Sequence, residues 1–240
     1  MCYDVKTMTK RAQAYAKRYG KQKDWENFKT TYPGVHHVSG FVEPELPVIT
    51  GQDPDLIQKL IWHPACFFKG YNTLNARDDK LTSSKFWKGD FESRRCLVMI
   101  DGFYDFHAHN GKKYPYHVRL KSGEPFMIAG LYRTVNISGE QRETVTLVTT
   151  RANKEMAWLH NEPAYSPESR MMFVVDQKDD EEWLQGSWEQ VQKLIKPLAD
   201  DVLDYHPCHK LRGKAYKGNL PEIADRVFYP ELETSQGSLF

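Results

Sequence analysis

The chain has 240 residues, a formal net charge of +1 and 40% hydrophobic residues, and 13% of its residues are aromatic. This composition can fill a sizeable core and argues against disorder except at the ends, while the near-neutral charge gives no support to nucleic-acid binding. No apolar run of about 18 residues occurs, which excludes a membrane-spanning helix.

The first predicted element is a helix close to the N-terminus. Apolar and aromatic side chains between Ala12 and Tyr19 recur at helical spacing, Thr9 can cap the helix, and Gly20 can end it. Short strands bounded by turn residues are expected next, at residues 35–41, 47–50 and 56–62.

The middle of the chain carries the strongest strand signals. Segments rich in β-branched and aromatic residues cover residues 96–106, 114–120, 125–135, 143–150 and 170–175. Helical patterns occupy residues 152–159, 179–185 and 188–198, and residues 234–240 have the composition of a loose tail. This order predicts one α+β domain over residues 1–240, with a curved, mainly antiparallel, barrel-like β core and peripheral helices.

Cysteine usage bears on the cellular setting and on metal binding. The four cysteines lie far apart without a CxxC pair, and the N-terminus lacks the apolar stretch of a signal peptide. A reduced, cytoplasmic setting is therefore expected. His206, Cys208 and His209 lack a second pair of ligands, so neither a metal site nor a cofactor is predicted.

Cys2 is the most informative position for chemistry. A small residue at position two permits removal of Met1, which leaves an α-amine and a thiol on one residue, a 1,2-aminothiol. The amine has a reference pKa of about 7.7 to 8.0, so part of it is unprotonated near neutral pH and can form a Schiff base with an aldehyde. The thiol can then close a thiazolidine ring. An abasic deoxyribose offers such an aldehyde, although a cysteine at this position is often only a small residue.

A polar segment at residues 75–77 offers the first set of partners for this chemistry. Asn75 can donate and accept hydrogen bonds, and Arg77 carries a planar fork suited to phosphate oxygens. The alternative is a turn with a solvated arginine.

Acidic residues inside an apolar strand form the second set of candidate partners for Cys2. Alternation places Asp101, Phe103 and Asp105 on one face unless Gly102 introduces a bulge. Burial there would raise the pKa of a carboxyl group toward a range useful for proton transfer. The alternative is an acid that caps a loop or pairs with one of the arginines at positions 94 and 95.

Three further side chains are candidates. His160, at the end of the predicted helix 152–159, can exchange protons near neutral pH and so act on a sugar. Trp62 and Phe103 can stack on a base or wedge beside an unpaired nucleotide, although aromatic residues in strands more often belong to the core.

Taken in order, these motifs resemble one known family. Cys2, Asn75-Ala76-Arg77, Arg94-Arg95-Cys96-Leu97-Val98, Asp101-Gly102-Phe103-Tyr104 and His160 agree in order and spacing with the SOS response-associated peptidase (SRAP) family of abasic-site processing proteins. The resemblance covers nearly the whole chain. It implies a mixed α+β fold with a curved β core, and crosslinking to abasic sites in single-stranded DNA through the N-terminal cysteine.

Roles carried over by position follow from that resemblance. Cys2 is the nucleophile, Asn75 orients it near the sugar, Arg77 holds a neighbouring phosphate, and His160 acts on the sugar as acid or base. Asp105 stands where the family usually has glutamate, so the carboxylate arm is shorter by one methylene.

Two other departures concern flanking segments. Trp62-His63-Pro64-Ala65 replaces the usual Trp-Gly-Leu followed by proline, and Asn161-Glu162-Pro163 replaces the usual Arg-Met-Pro.

The sequence therefore predicts a monomeric abasic-site sensor that forms a covalent thiazolidine with single-stranded DNA and associates with the nucleoid when bound to DNA. Peptidase activity tied to exposing Cys2 and a lyase activity are further expectations of the resemblance. Two alternatives stay open. One is a cysteine hydrolase in which Cys2 attacks a carbonyl with His160 or the α-amine as base. The other is a non-covalent single-stranded-DNA binder with Trp62 and Phe103 as stacking platforms.

Overall fold

The structure is a computed structural model that describes residues 2–7, 28, 30–63, 73–162 and 168–233. The helix predicted between Thr9 and Gly20 and the tail predicted at residues 234–240 lie outside the described residues, as do Cys66 and Pro163. Among the described helices, none is long and apolar enough to cross a membrane.

Strands make up most of the described secondary structure. In chain order they are β1 (Asp4–Thr7), β2 (Val35–Ser39), β3 (Glu45–Thr50), β4 (Ile57–Trp62), β5 (Asn75–Arg77), β6 (Arg95–Ile100), β7 (Gly102–His109), β8 (Lys112–Leu120), β9 (Phe126–Ile137), β10 (Glu140–Arg151), β11 (Arg170–Met172) and β12 (Leu203–Pro207). The α-helices are α1 (Lys88–Ser93), α2 (Lys154–Leu159), α3 (Asp180–Gln185), α4 (Trp188–Leu194) and α5 (Pro230–Glu233).

Five of these strands close into a barrel. Their order is β10-β4-β3-β6-β9, and β9 pairs with β10 to complete the ring. β5 and β11 add further pairings to β10. The pairings of β10 with β4 and β5 are parallel and the others in this sheet are antiparallel. The predicted α+β fold with a curved, mainly antiparallel, barrel-like core is confirmed.

A second, antiparallel sheet has the order β12-β8-β7-β1-β2 and carries the N-terminal residues. Along β7 the side chains alternate: Phe103 is buried with Val118 in the main core, whereas Tyr104 packs with Leu211 on the opposite face. Asp4 pairs with Tyr104 in antiparallel register. The residues that precede β1 therefore run beside the residues that follow Tyr104.

The long strand predicted at residues 96–106 is two strands in different sheets. β6 belongs to the barrel and β7 to the second sheet, and the chain crosses between them at Asp101, whose N–H donates to the Lys6 carbonyl oxygen at 2.8 Å. Gly102 is needed there because a Cβ atom would lie 2.7 Å from His117 Nε2. The expectation that Asp101 shares a strand face with Asp105 is wrong, because Asp101 lies in this crossing and not in β7.

Smaller differences concern short elements. The helix expected at residues 188–198 ends at Leu194. The alternative interpretation of residues 75–77 as a turn does not hold. These residues form β5, because they pair with β10 in parallel register. The patterns give no indication of β1, α1 or β12, which are short and gain their stability from tertiary contacts.

Candidate active site

Asp105 stands at the centre of the candidate site. Its side chain projects from β7 and is buried, with 3% of the residue exposed. The Cys2 Sγ–H donates to Asp105 Oδ2 at 3.0 Å, and Asp105 Oδ1 lies 3.0 Å from His160 Nδ1. The N–H of Phe106 also donates to Oδ1, at 2.9 Å. One carboxylate thus joins a thiol and an imidazole that are far apart in the sequence.

The position of His160 is set by the end of α2. Asn153 caps the start of this helix by accepting from the Met156 N–H at 3.0 Å, and His160 follows the last helical turn. Immediately after it, Asn161 exchanges two hydrogen bonds with the backbone of Ala108: it accepts from the N–H at 2.9 Å and donates to the carbonyl oxygen at 2.8 Å. These bonds fasten the end of α2 to β7 and so hold the imidazole beside Asp105.

Asn75 approaches Cys2 from the barrel. Its Nδ2 donates to the Cys2 carbonyl oxygen at 3.2 Å. Its Oδ1 is buried and has no hydrogen-bond partner among the described residues. A buried, unsatisfied acceptor is costly, so an amide oxygen at this place is suited to a donor that arrives with the substrate or with a processed N-terminus.

Arg77 lies at the end of β5, where 32% of its side chain is exposed. Its Nε and Nη2 donate to Asp79 Oδ1 and Oδ2, both at 2.9 Å. These hydrogen bonds raise the pKa of Arg77. Burial works in the opposite direction, but the attraction of the Asp79 charge adds to the hydrogen bonds, so the pKa is raised overall. The guanidinium is therefore charged at all relevant pH values, and its fork is occupied by a carboxylate that resembles a phosphate edge.

A family model described as SOS response associated peptidase (SRAP) matches residues 1–214 of the 240-residue chain. This chain belongs to the SRAP family. The resemblance drawn from the ordered motifs is thereby confirmed.

Individual proteins similar to this SRAP chain are known in several organisms. Abasic site processing protein YMR114C of Saccharomyces cerevisiae is 32% identical over 140 residues, which are 56% of this chain and 36% of the yeast protein. Abasic site processing protein YoqW of Bacillus subtilis is 29% identical over 161 residues, which are 65% of this chain and 68% of that protein. A crystal structure of a protein from Bacteroides thetaiotaomicron has a TM-score of 0.78 and 26% sequence identity, and the match covers 95% of this chain and 100% of that one.

Electrostatics in this SRAP site keep the thiol protonated and the carboxylate charged. Burial, and then the negative charge of Asp105, raise the pKa of Cys2 well above its usual value. For Asp105, burial works to raise the pKa, but the hydrogen bond from His160 and nearby positive charge outweigh it, so the pKa is lowered. Burial thus acts in the predicted direction, but the expected overall rise of the pKa of Asp105 is wrong. The alternative, in which Asp105 pairs with Arg94 or Arg95, is not found either, because the carboxylate of Asp105 contacts Cys2, His160 and the Phe106 N–H.

The two candidate arginines of that alternative pairing serve the scaffold. Arg94 lies 3.3 Å from Asp90, and Arg95 donates to backbone carbonyl oxygens, including that of Trp183 at 2.6 Å. Their guanidinium groups are thus bound to partners other than Asp105.

Trp62 and Phe103 occupy the core. Trp62 is 0% exposed and its indole N–H donates to the Leu74 carbonyl oxygen at 2.9 Å. Phe103 is 1% exposed and packs against Phe126 with ring centroids 5.4 Å apart. The stacking role expected of these two rings does not fit their burial, since neither presents a face to a nucleotide. Trp62 instead holds the segment that precedes Asn75.

Among the residues that the structure describes, no group of three or more histidine, cysteine or acidic side chains is arranged to hold a metal ion. Asn161 is the positioning residue that the sequence pattern does not reveal, because its partners are backbone atoms of another strand. A polar residue directly after the helix that bears His160 is the only signal, and such residues are common at helix ends.

The first prediction concerns the titration of the Cys2 thiol. Because the charge of Asp105 raises the pKa of Cys2, Asp105→Asn should lower that pKa and move the midpoint of the alkylation rate against pH to lower pH. The measurement is the rate of iodoacetamide addition from about pH 8.5, the reference thiol pKa, up to the highest pH at which both proteins stay folded, read by mass spectrometry on the N-terminal peptide. Asp204→Asn, which removes a carboxylate paired with Arg119, is the matched control and should leave the midpoint unchanged. An unchanged or higher midpoint in Asp105→Asn would contradict the assigned interaction.

Proposed function

We propose that this chain senses abasic sites in single-stranded DNA and bonds to them covalently through Cys2 after removal of Met1. The observation that carries the proposal is the Asp105 carboxylate held 3.0 Å from both the Cys2 thiol and the His160 imidazole. The names of the relatives in yeast and Bacillus support abasic DNA as the class of substrate. Single-strandedness, a monomeric state and a cytoplasmic, nucleoid-associated setting belong to the same proposal.

The order of the chemical steps follows from the two nucleophiles. The raised pKa of Cys2 keeps its sulfur protonated, so the α-amine, with its reference pKa of about 7.7 to 8.0, attacks first. Its electron pair bonds to the aldehyde carbon C1′ of the ring-opened sugar, and loss of one water gives an imine. Cys2 Sγ then bonds to the same carbon, and the C=N electron pair returns to nitrogen. The S–H proton passes through Asp105 to that nitrogen and leaves a thiazolidine.

The surrounding side chains take the supporting roles. His160, held beside Asp105 through Nδ1, gives a proton to or takes one from the sugar during ring opening. Asn75 holds the Cys2 carbonyl with its amide nitrogen, and its Oδ1 accepts from the processed α-amine. The aspartate arm of Asp105 reaches both partners although it is shorter than the family's usual glutamate.

The arrangement favours this chemistry over the alternatives. A cysteine hydrolase of the usual kind needs a thiolate formed by a histidine in direct contact, whereas here Asp105 lies between the two groups and the pKa of the thiol is raised. A non-covalent binder with Trp62 and Phe103 as its stacking platforms is not supported, because both rings are buried. Peptidase activity is proposed only for exposing Cys2, and a lyase activity only for the imine stage.

Replacement of the thiol provides the direct test. Cys2→Ala keeps the α-amine after Met1 removal and loses the sulfur, so no product stable on a denaturing gel should form with an abasic single strand. Addition of borohydride should restore a band by reducing the imine. The buried Cys208, outside the site, supplies the matched control as Cys208→Ala, which should crosslink like the unaltered protein. A stable band from Cys2→Ala without reductant would refute the thiazolidine.

Arg77 provides a separate test of strand binding. Arg77→Ala should weaken binding to a non-reactive abasic strand and reduce the slope of log affinity against log salt by about 0.7, because one phosphate contact is lost. Titrations at several salt concentrations measure this slope.

Asp79→Ala is the comparison variant for this test, since it frees the Arg77 fork from its carboxylate partner. Binding should become tighter in Asp79→Ala. An unchanged salt slope in Arg77→Ala would show that Arg77 serves the scaffold alone.

A further inference from the structure

An open groove of about 730 Å³ lies on the second sheet, and its lining is largely aromatic. The residues that line it include His107, Tyr116, Trp158, Arg226, Phe228 and Tyr229. Two of the large side chains are unusually exposed, Trp158 at 47% and Phe228 at 66%. Exposed aromatic surface gathered in one groove marks a binding site more often than a structural feature.

The groove adjoins the candidate active site because β7 and α2, which position Asp105 and His160, also contribute residues to the groove. His107 follows Asp105 by two positions on β7, so the two side chains leave the same face of the strand about 7 Å apart. Trp158 lies in the last turn of α2, and His160 directly follows the end of that helix. The His107 Nδ1–H donates to the Trp158 carbonyl oxygen at 3.0 Å, which ties the two elements together at the groove.

The indole of Trp158 is held in place although almost half of it is exposed. It stacks on His107 with ring centroids 4.2 Å apart and an interplanar angle of 18°. The ring of Tyr116 meets it edge-on at 5.7 Å, and Tyr205 packs at 5.6 Å. An aromatic ring fixed in this way loses little conformational freedom when a ligand ring stacks on it, which is the property of a nucleobase platform.

Charge around the groove suits a nucleic-acid strand. Arg226 lines the groove and also a neighbouring pocket of about 350 Å³. That pocket holds Lys6 and Arg119 together with the carboxylates of Asp204 and Asp225, and Asp204 is paired with Arg119. Glu233 is the acidic residue in the groove lining. Positive charge beside an aromatic groove is the combination that tracks a phosphate backbone while bases stack.

The far wall of the groove does not come from the part of the chain that defines the family. The family model ends at residue 214, whereas Arg226, Phe228 and Tyr229 follow it. The groove therefore combines residues inside the matched segment with residues that follow it.

We propose that this groove binds an unpaired nucleobase next to the abasic nucleotide, by stacking on Trp158 and Phe228 with Arg226 at the adjoining phosphate. This inference rests on the proposed function, because the strand reaches the groove from the abasic sugar at Cys2 and Asp105. The stacked nucleobase would help to hold the abasic sugar beside Cys2 until the covalent bond forms.

The test compares two single strands that carry a tetrahydrofuran abasic analogue, which has no aldehyde and so reports binding alone. One strand has ordinary bases on both sides of the analogue, and the other has further tetrahydrofuran residues at those flanking positions. Trp158→Ala should weaken binding to the first strand between about fivefold and about 150-fold, the range expected for one stacked base. Binding to the second strand should be nearly unchanged.

Two more variants keep the result interpretable. Phe228→Ala removes a largely exposed ring without touching α2, and it should weaken binding to the first strand selectively. Trp188→Ala is the matched control, a tryptophan 37% exposed on α4 that does not line the groove, and it should bind both strands like the unaltered protein. Equal losses on both strands, or no loss in either groove variant, would overturn the proposal.

Crosslinking of the unaltered protein to a reactive abasic strand separates the two proposals. If that product forms while the groove variants bind both strands normally, only the nucleobase inference fails. If the product does not form, the covalent function fails whatever the groove variants do.

Discussion

The Asp105 carboxylate between Cys2 and His160 is the interaction on which the rest of the site depends. A buried carboxylate is costly unless its charge is compensated, and here the imidazole, the thiol and the Phe106 N–H supply the compensation. The same contacts decide the protonation states, because they lower the pKa of Asp105 while its charge raises the pKa of Cys2. With a charged carboxylate next to a protonated thiol, Asp105 can accept the Cys2 S–H proton when the sulfur bonds to carbon and can pass it to the nitrogen.

The fold brings these groups together at the junction of two sheets. The chain leaves the barrel at Asp101 and enters the second sheet at Gly102, where the close approach of His117 leaves no room for a side chain. That crossing lets β7 pair with β1, which places the N-terminal residues beside Asp105. From the other side, Asn161 fixes the end of α2 to β7. Asn75 and Asp105 thus lie on strands, and Cys2 and His160 lie within two residues of a strand or helix end, which favours precise geometry.

Much of this arrangement could be predicted from the sequence, for identifiable reasons. Period-two alternation indicated the central strands, and the set of polar residues in family order indicated Cys2, Asn75, Asp105 and His160. The crossing at Asp101 could not be predicted, because an apolar run interrupted by Asp101-Gly102 is compatible with one bulged strand or with two strands. The burial of Trp62 and Phe103 also depends on which sheet face is covered, and local pattern does not determine that. The partner of Arg77, and the net lowering of the pKa of Asp105, depend on contacts between residues that only the folded chain brings together.

Intact-mass spectrometry of the protein incubated with an abasic single strand tests the central claim most directly. We expect one new species whose mass equals that of the protein without Met1 plus the strand, less one water. Peptide mapping should place the bond at Cys2 with both its amine and its sulfur blocked. A species attached at any other residue, an adduct that leaves the sulfur free to alkylate, or no adduct despite confirmed Met1 removal would contradict that claim.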